Sequence, residues 1–327
     1  MKRSLWRIAL PFLMLLGFPQ RSPAPFIYTP GEGWRYEQYG SSGSWTRTKP
    51  GDQLLVAQDA FDHKDYSVAL KAARRTVTLW GFSDYAPKAQ YLVGRCLEAK
   101  KQDEKAFKAY QKLLVEYPKV ENYEEIVQRQ FEIANRFLNG EWRRKLTYIP
   151  FPPDMDATIK EYEQIIKNGP YSKVAPYAQM NIGEAYERKF VKNFPAAAKA
   201  YERAADRYGD DKLGTDALYK MGEAYNKQAK RAEYDQSIAA QAIGTFTDFM
   251  ILHPEDKRVP DAQKIINSLK TEQARGSFDI ARYYEKNHRW RAALIYYNDA
   301  RNKDPGSPFA EAALGRIDAI QKHLRTQ

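Results

Sequence analysis

Six positions recur along this chain at fixed spacing, and they restrict its fold more tightly than anything else in it. Gly94, Leu97, Ala106, Tyr110, Leu113 and Pro118 stand at offsets 0, 3, 12, 16, 19 and 24. Ala281, Tyr284, Ala293, Tyr297, Ala300 and Pro305 keep those offsets without a gap, and Ala57, Ala60, Ala69, Ala73, Thr76 and Gly81 keep them with smaller side chains. Three more units fit once the loop between the two halves lengthens. These are Ala134 and Phe137 with Thr158, Tyr162, Ile165 and Pro170; Gly183 and Tyr186 with Ala197, Tyr201, Ala204 and Gly209; and Gly222 and Tyr225 with Ala242, Phe246, Phe249 and Pro254. Beyond Asp52 nearly every stretch has apolar residues at i, i+3, i+4 and i+7 and ends at a proline or glycine, which predicts helix throughout. The spacing has a physical cause. A small residue on the first helix lets the second approach, the aromatic fills the gap beside it, and the proline stops the second helix. One such pair cannot bury its apolar face alone, and stacking does so at about 1.5 to 3 kcal/mol per large side chain.

The unit resembles the tetratricopeptide repeat. It predicts an all-α, tetratricopeptide-type α-solenoid of about six helix pairs, at residues 52–83, 87–120, 127–172, 174–209, 213–256 and 258–306. A capping helix follows over 307–325, with Ser307 as N-cap and Pro308 at its first position. The 23 tyrosines suggest an aromatic binding surface, but Tyr110, Tyr162, Tyr186, Tyr201, Tyr225, Tyr284 and Tyr297 all fall on packing positions. They read as core. Cys96, between Gly94 and Leu97, reads as a buried thiol without chemistry.

Ahead of the repeats, Lys2, Arg3 and Arg7 flank an apolar run from Ile8 to Phe18 that is too short to span a bilayer. Residues 1–24 therefore read as a signal peptide, with Ser22 and Ala24 before the cut and Pro25 disfavouring it; an uncleaved inner-membrane anchor is the other reading. Residues 25–51 read as an extended arm. Its Trp34, Tyr36, Tyr39 and Trp45 dock on the folded body or a partner, or the arm is a tether. Without Lys2, Arg3, Arg7 and Arg21 the net charge falls from +11 to +7, and the remaining basic residues lie beside acidic ones. Nucleic acid is not an expected partner. A single cysteine excludes an intrachain disulfide or a cysteine-built zinc site, and the four histidines lie far apart. With no nucleophile elbow, phosphate loop or dinucleotide turn, we expect no catalytic residue, no cofactor and no metal, hence not an enzyme. Glu124 and Glu125 read as complements to a helix dipole.

A stack of this kind binds extended or helical peptides along the face lined by the first helix of each pair. Counting from the small residue, that face carries Leu54, Gln58 and Phe61, then Lys88, Tyr91 and Arg95, then Gln128, Phe131 and Asn135. Lys88 and Arg95 suit a terminal carboxylate, while Tyr91 and Phe131 suit aromatic side chains. An ordinary solvated face is the alternative. The loop from Asn139 to Met155 adds Trp142, Arg143, Arg144, Tyr148 and Phe151, which contact a partner or fold back on the stack.

The C-terminal third is more particular. Phe246, Phe249 and Pro254, Leu269-Lys270, Ala281-Arg282-Tyr283-Tyr284 and Trp290-Arg291-Ala292-Ala293 together are similar to the BamD family of outer-membrane-protein assembly factors, in which a long helix with Leu-Lys near its middle precedes such a unit. The resemblance implies an exported periplasmic scaffold peripheral to the outer membrane. Its partners would be a POTRA-containing β-barrel assembly subunit and unfolded outer-membrane protein substrates. Substrate would meet the N-terminal repeats, and the barrel subunit would meet the last repeat through Arg282, Arg289, Arg291 and Tyr296. Two departures are visible: BamD members carry a lipidated cysteine directly after the signal, whereas no cysteine precedes Cys96 here, and they have five helix pairs rather than six. The alternative is a general periplasmic adaptor in envelope assembly or cell division.

Overall fold

The computed structural model describes residues 26–29, 33–36, 45–141, 143–146, 149–151, 154–188, 191–209, 212–231 and 236–325, with backbone alone for 26–36 and 143–151. The signal-peptide reading and Tyr39 lie outside the described residues. The fold is an all-α tetratricopeptide-type solenoid, and the chain divides into two compact units, Met1–Leu92 and Val93–Gln327.

In the first unit, β1 (Phe26–Thr29) and β2 (Gly33–Tyr36) form an antiparallel hairpin within the arm, pairing Phe26 with Tyr36 and Tyr28 with Trp34. The helices are α1 (Pro50–Asp62), α2 (Tyr66–Leu79) and the start of α3 (Ala86–Ala99). Gln53 is fully buried and ties the end of the arm to this pair. The Arg47 amide donates to Gln53 Oε1 at 2.7 Å, and Gln53 Nε2 donates to the Trp45 carbonyl at 2.9 Å and the Ala72 carbonyl at 3.4 Å.

The second unit continues α3 and adds α4 (Asp103–Glu116), α5 (Tyr123–Leu138), α6 (Met155–Asn168), α7 (Ala175–Glu187), α8 (Phe194–Arg207), α9 (Lys212–Arg231) and α10 (Gln236–Leu252). It ends with α11 (Val259–Lys286), α12 (Trp290–Lys303) and α13 (Pro308–Arg325). Between α5 and α6, within the stretch that reads as a loop, β3 (Arg143–Leu146) pairs antiparallel with β4 (Ile149–Phe151). Pro150 within β4 lacks an amide donor and holds Ile149 in extended backbone, which disfavours helix there.

The recurring positions act as the spacing implies. A β-carbon on Gly94 would lie 2.2 Å from Tyr110 Cε1, one on Gly183 2.4 Å from Tyr201 Cε1, and one on Gly222 2.9 Å from Phe246 Cε1. Tyr110, Tyr162, Tyr201, Tyr297 and Phe246 are fully buried, as is Cys96, whereas Tyr186, Tyr225 and Tyr284 are half-buried. Within the pairs the chain reverses through left-handed residues, Lys64, Lys101, Lys192 and His288, with φ between 45° and 64°. Asp65, Asp154, Asn193 and Ser307 then cap α2, α6, α8 and α13 by accepting from backbone amides three residues on.

The turn into α11 holds a perturbed carboxylate. Arg258 donates to both oxygens of Asp256, from Nε at 2.9 Å and from a terminal nitrogen at 2.7 Å, and this pushes Asp256 down to about 2 from 3.8. A folded-state value below the unfolded one means that the stabilisation is complete above pH 4 and lost as pH falls toward 2. We expect Asp256→Asn to lose about 1 to 2 kcal/mol at pH 7 and almost nothing at pH 2, after allowance for partial exposure. Urea titrations at the two pH values check this; a loss independent of pH would contradict it.

Candidate functional site

In the first unit, Gln58 and Lys88 are exposed, while Phe61 and Tyr91 are half-buried, Phe61 meeting Tyr66 edge-on at 5.4 Å. Leu54 corrects the expectation of an exposed face: it is only 4 % exposed. Ala57, Ala60, Ala69 and Ala73 take the packing positions of α1 and α2 with no aromatic among them, and Leu54 is the large apolar side chain that these two helices bury.

In the second unit, Arg95 is half-buried and Gln128 is exposed, donating to Glu132 at 3.0 Å. Phe131 lies 6.0 Å from the Tyr162 ring. Asn135 Oδ1 accepts from the Tyr162 hydroxyl at 2.6 Å and from Asn181 Nδ2 at 2.8 Å, so its amide nitrogen is what remains to meet a ligand. Of the loop candidates, Trp142 and Tyr148 lie outside the described residues, as do the side chains of Arg143, Arg144 and Phe151.

Spacing alone does not announce the ionic column that runs beside this face. Tyr110 donates to Glu98 at 2.9 Å, and Glu98 also takes Arg129 at 3.5 Å and Arg136 at 3.3 Å. Arg136 in turn forks onto Asp103, with both contacts at 2.9 Å. The last repeat repeats the arrangement: Tyr297 donates to Glu285 at 2.5 Å, and Arg316 of α13 forks onto the same carboxylate. Burial alone would raise Glu285, but hydrogen bonds from Arg316 and Tyr297 outweigh it and hold the carboxyl below its usual range. Burial, then the bond to Glu285, pushes Tyr297 up to about 12. In the repeat of α7 and α8, Tyr201 takes the corresponding position, two residues later because of the longer loop, but its buried hydroxyl has no partner. The corresponding Glu187 is held by Lys227 of α9, at 3.1 and 3.2 Å. We expect Tyr297→Phe to cost about 1 to 2 kcal/mol, because it strips a donor from a buried carboxylate, and Tyr201→Phe to cost nothing. Chemical denaturation of the two variants checks this; equal losses would contradict the pairing.

The docking candidates cluster near the chain's end. Arg282, Arg289 and Arg291 are exposed, Arg282 lying 3.9 Å from Asp279, and Tyr296 stacks flat on Tyr284 at 5.4 Å. Arg282 lines a cleft with Phe278, Glu285, Trp290, Tyr297 and Arg316. The Trp290 ring lies between His288 at 5.3 Å and His323 at 4.9 Å. Among the described residues no helix is long and apolar enough to cross a membrane, and no cluster of metal ligands occurs.

A family model described as YfiO, outer membrane lipoprotein, matches residues 152–327, just over half of the chain. A tetratricopeptide-repeat model matches residues 54–121. No curated relative matches. Among solved structures, a tetratricopeptide-repeat protein of Bacteroides fragilis is 14 % identical, with 84 % of this chain and 100 % of that one covered at a TM-score of 0.40. The C-terminal part of a repeat-containing protein of Cytophaga hutchinsonii is 15 % identical, with 82 % and 89 % covered at 0.37. A tetratricopeptide-repeat protein of Parabacteroides merdae is 9 % identical, with 83 % and 98 % covered at 0.33.

Proposed function

We propose, starting from the fact that this chain belongs to the YfiO outer membrane lipoprotein family, that it is a non-catalytic periplasmic scaffold of the machinery that assembles β-barrel proteins in the outer membrane. One observation carries the reading: the family match extends over α6 to α13 and so includes the last repeat, with exposed Arg282, Arg289 and Arg291 and the cleft beside Trp290. In this reading the last repeat docks on the POTRA-containing barrel subunit. The first helices of the earlier repeats, with Gln58, Phe61, Lys88, Tyr91, Arg95, Gln128, Phe131 and Asn135, receive segments of unfolded outer-membrane proteins.

Affinity capture of the exported full-length protein tests it. Recovery of the barrel subunit, reduced at least tenfold by Arg282→Ala with Arg289→Ala and Arg291→Ala, is the expected result. Recovery of peptidoglycan or division proteins alone would favour a general envelope adaptor. That second reading draws on the family model's boundary, which leaves α1 to α5 outside it and residues 54–121 to a general tetratricopeptide-repeat model.

A further inference from the structure

We infer that the face of α7 and α9 around Tyr201 and Glu187 is a receptor for an arginine side chain of an extended polypeptide, occupied at rest by the protein's own Lys227. The inference rests on the scaffold reading and specifies one of its subsites.

Three repeats of the second unit share a tyrosine and a glutamate at corresponding positions, 12 residues apart in two of them and 14 in the third, with a cation from the following helix. In two of them the triad is closed: Tyr110 and Tyr297 donate to Glu98 and Glu285, and arginines of α5 and α13 hold the same carboxylates. In the third, the cation is a lysine, whose Nζ lies almost equidistant from both oxygens of Glu187, and the Tyr201 hydroxyl is left buried without an acceptor. A buried orphan donor is unfavourable, and its natural acceptor is already on the spot. Lys227 is 43 % exposed against 15 % for Glu187, so the lysine side of the pair opens to water and can yield to a better partner while the carboxylate stays in place.

The surroundings select the charge of that partner. Glu184, Glu187 and Glu223 all act on the Tyr201 hydroxyl, and Glu184 carries its own Arg188 at 2.8 Å. Lys220 Nζ lies 5.9 Å from the Tyr201 ring centre, and once Lys227 swings out, three carboxylates face two cations. A guanidinium entering there forks onto Glu187, as Arg316 does onto Glu285, and leaves the carboxylate placed to accept from Tyr201.

The test uses the full chain and fluorescein-labelled Gly-Ser-Tyr-Gly-Arg-Gly-Tyr-Ser-Gly, with counterparts carrying glutamate or lysine for arginine, read by fluorescence anisotropy. We expect the arginine peptide to bind about tenfold tighter than the glutamate one, and Lys227→Ala to tighten it a further three- to tenfold. Glu187→Gln should abolish the preference, and Tyr201→Phe should reduce it severalfold with the melting temperature unchanged. Arginine and glutamate peptides binding alike, or Lys227→Ala within about twofold of wild type, would overturn the site. Capture of the barrel subunit is scored separately: if it persists without an arginine preference, only this subsite falls, and if the preference is present without capture, only the assembly reading falls.

Discussion

Leucine in place of Gly94 is expected to destabilise the second unit by about 3 kcal/mol, the upper end of what overfilling a packed interface costs. The position has no slack. A β-carbon alone would stand 2.2 Å from one ring carbon of Tyr110, 2.6 Å from a second and 2.8 Å from a third, and the ring is fully buried with its hydroxyl bound to Glu98. Relief requires the two helices to part or the ring to leave its rotamer, and either also breaks the Tyr110–Glu98 bond. For a unit of this size the melting temperature should fall by about 6 to 12 °C. Alanine should already cost a measurable fraction. Gly315 is the control: a β-carbon there meets nothing within 4 Å, so Gly315→Ala should be neutral or stabilise α13 by up to about 1 kcal/mol. Pairing Gly94→Ala with Tyr110→Leu should recover part of the loss, a coupling that a double-mutant cycle reads directly. A melting temperature of Gly94→Leu equal to wild type would contradict the helix register.

Arg258→Ala should have an effect of similar size, about 3 kcal/mol, for a different reason. This side chain joins four elements. Its terminal nitrogens reach Asp216 of α9 at 2.8 Å and Asp256 of the turn at 2.7 Å, and its guanidinium lies 4.8 Å from the Tyr219 ring of α9 and 5.4 Å from the Phe249 ring of α10. Its own backbone stands at the start of α11. Removal strands two carboxylates and exposes two aromatic faces, and each of those losses is worth about 0.5 to 2 kcal/mol. Lysine should restore less than half, because an ammonium cannot fork onto one carboxylate while reaching a second and meeting two rings. Urea denaturation of both variants decides it, and a lysine variant as stable as wild type would show that charge alone matters.

The fold was legible because its repeat positions obey sterics that leave few residue types acceptable. Gly94, Gly183 and Gly222 each face an aromatic ring that tolerates no β-carbon, and that constraint is written in the sequence as a spacing. Other features obey weaker rules. The reversals inside the pairs use left-handed Lys64, Lys101, Lys192 and His288, so no glycine marks them. The hairpin of β3 and β4 is held by backbone pairing, which places little demand on residue type, and it breaks the helical pattern only through its prolines. The ionic column was recoverable in part. Glu98, Glu187 and Glu285 all stand four residues beyond the small residue of their repeats, and Arg129 and Arg316 each follow their glutamate by 31 residues, but Lys227 follows Glu187 by 40, so the longer loops of the middle repeats hide the pattern of the cations. Leu54 was misread as solvent-facing; with only alanines at the packing positions of α1 and α2, it is the large apolar side chain that these helices bury.

α11 has a mechanical consequence. Its 28 residues span about 42 Å as one uninterrupted rod. Ala262, Ile266 and Leu269 are embedded with the α9–α10 hairpin, while Ala281, farther along, is embedded with α12 and α13. α9 bridges its neighbours in the same way over 20 residues, with Ala224 embedded against α8 and Ala229 against α10; α11 sets its two bearings farther apart on a single beam. A load taken up at the terminal helices is therefore delivered to the α9–α10 hairpin as rotation, with no joint in between to absorb it.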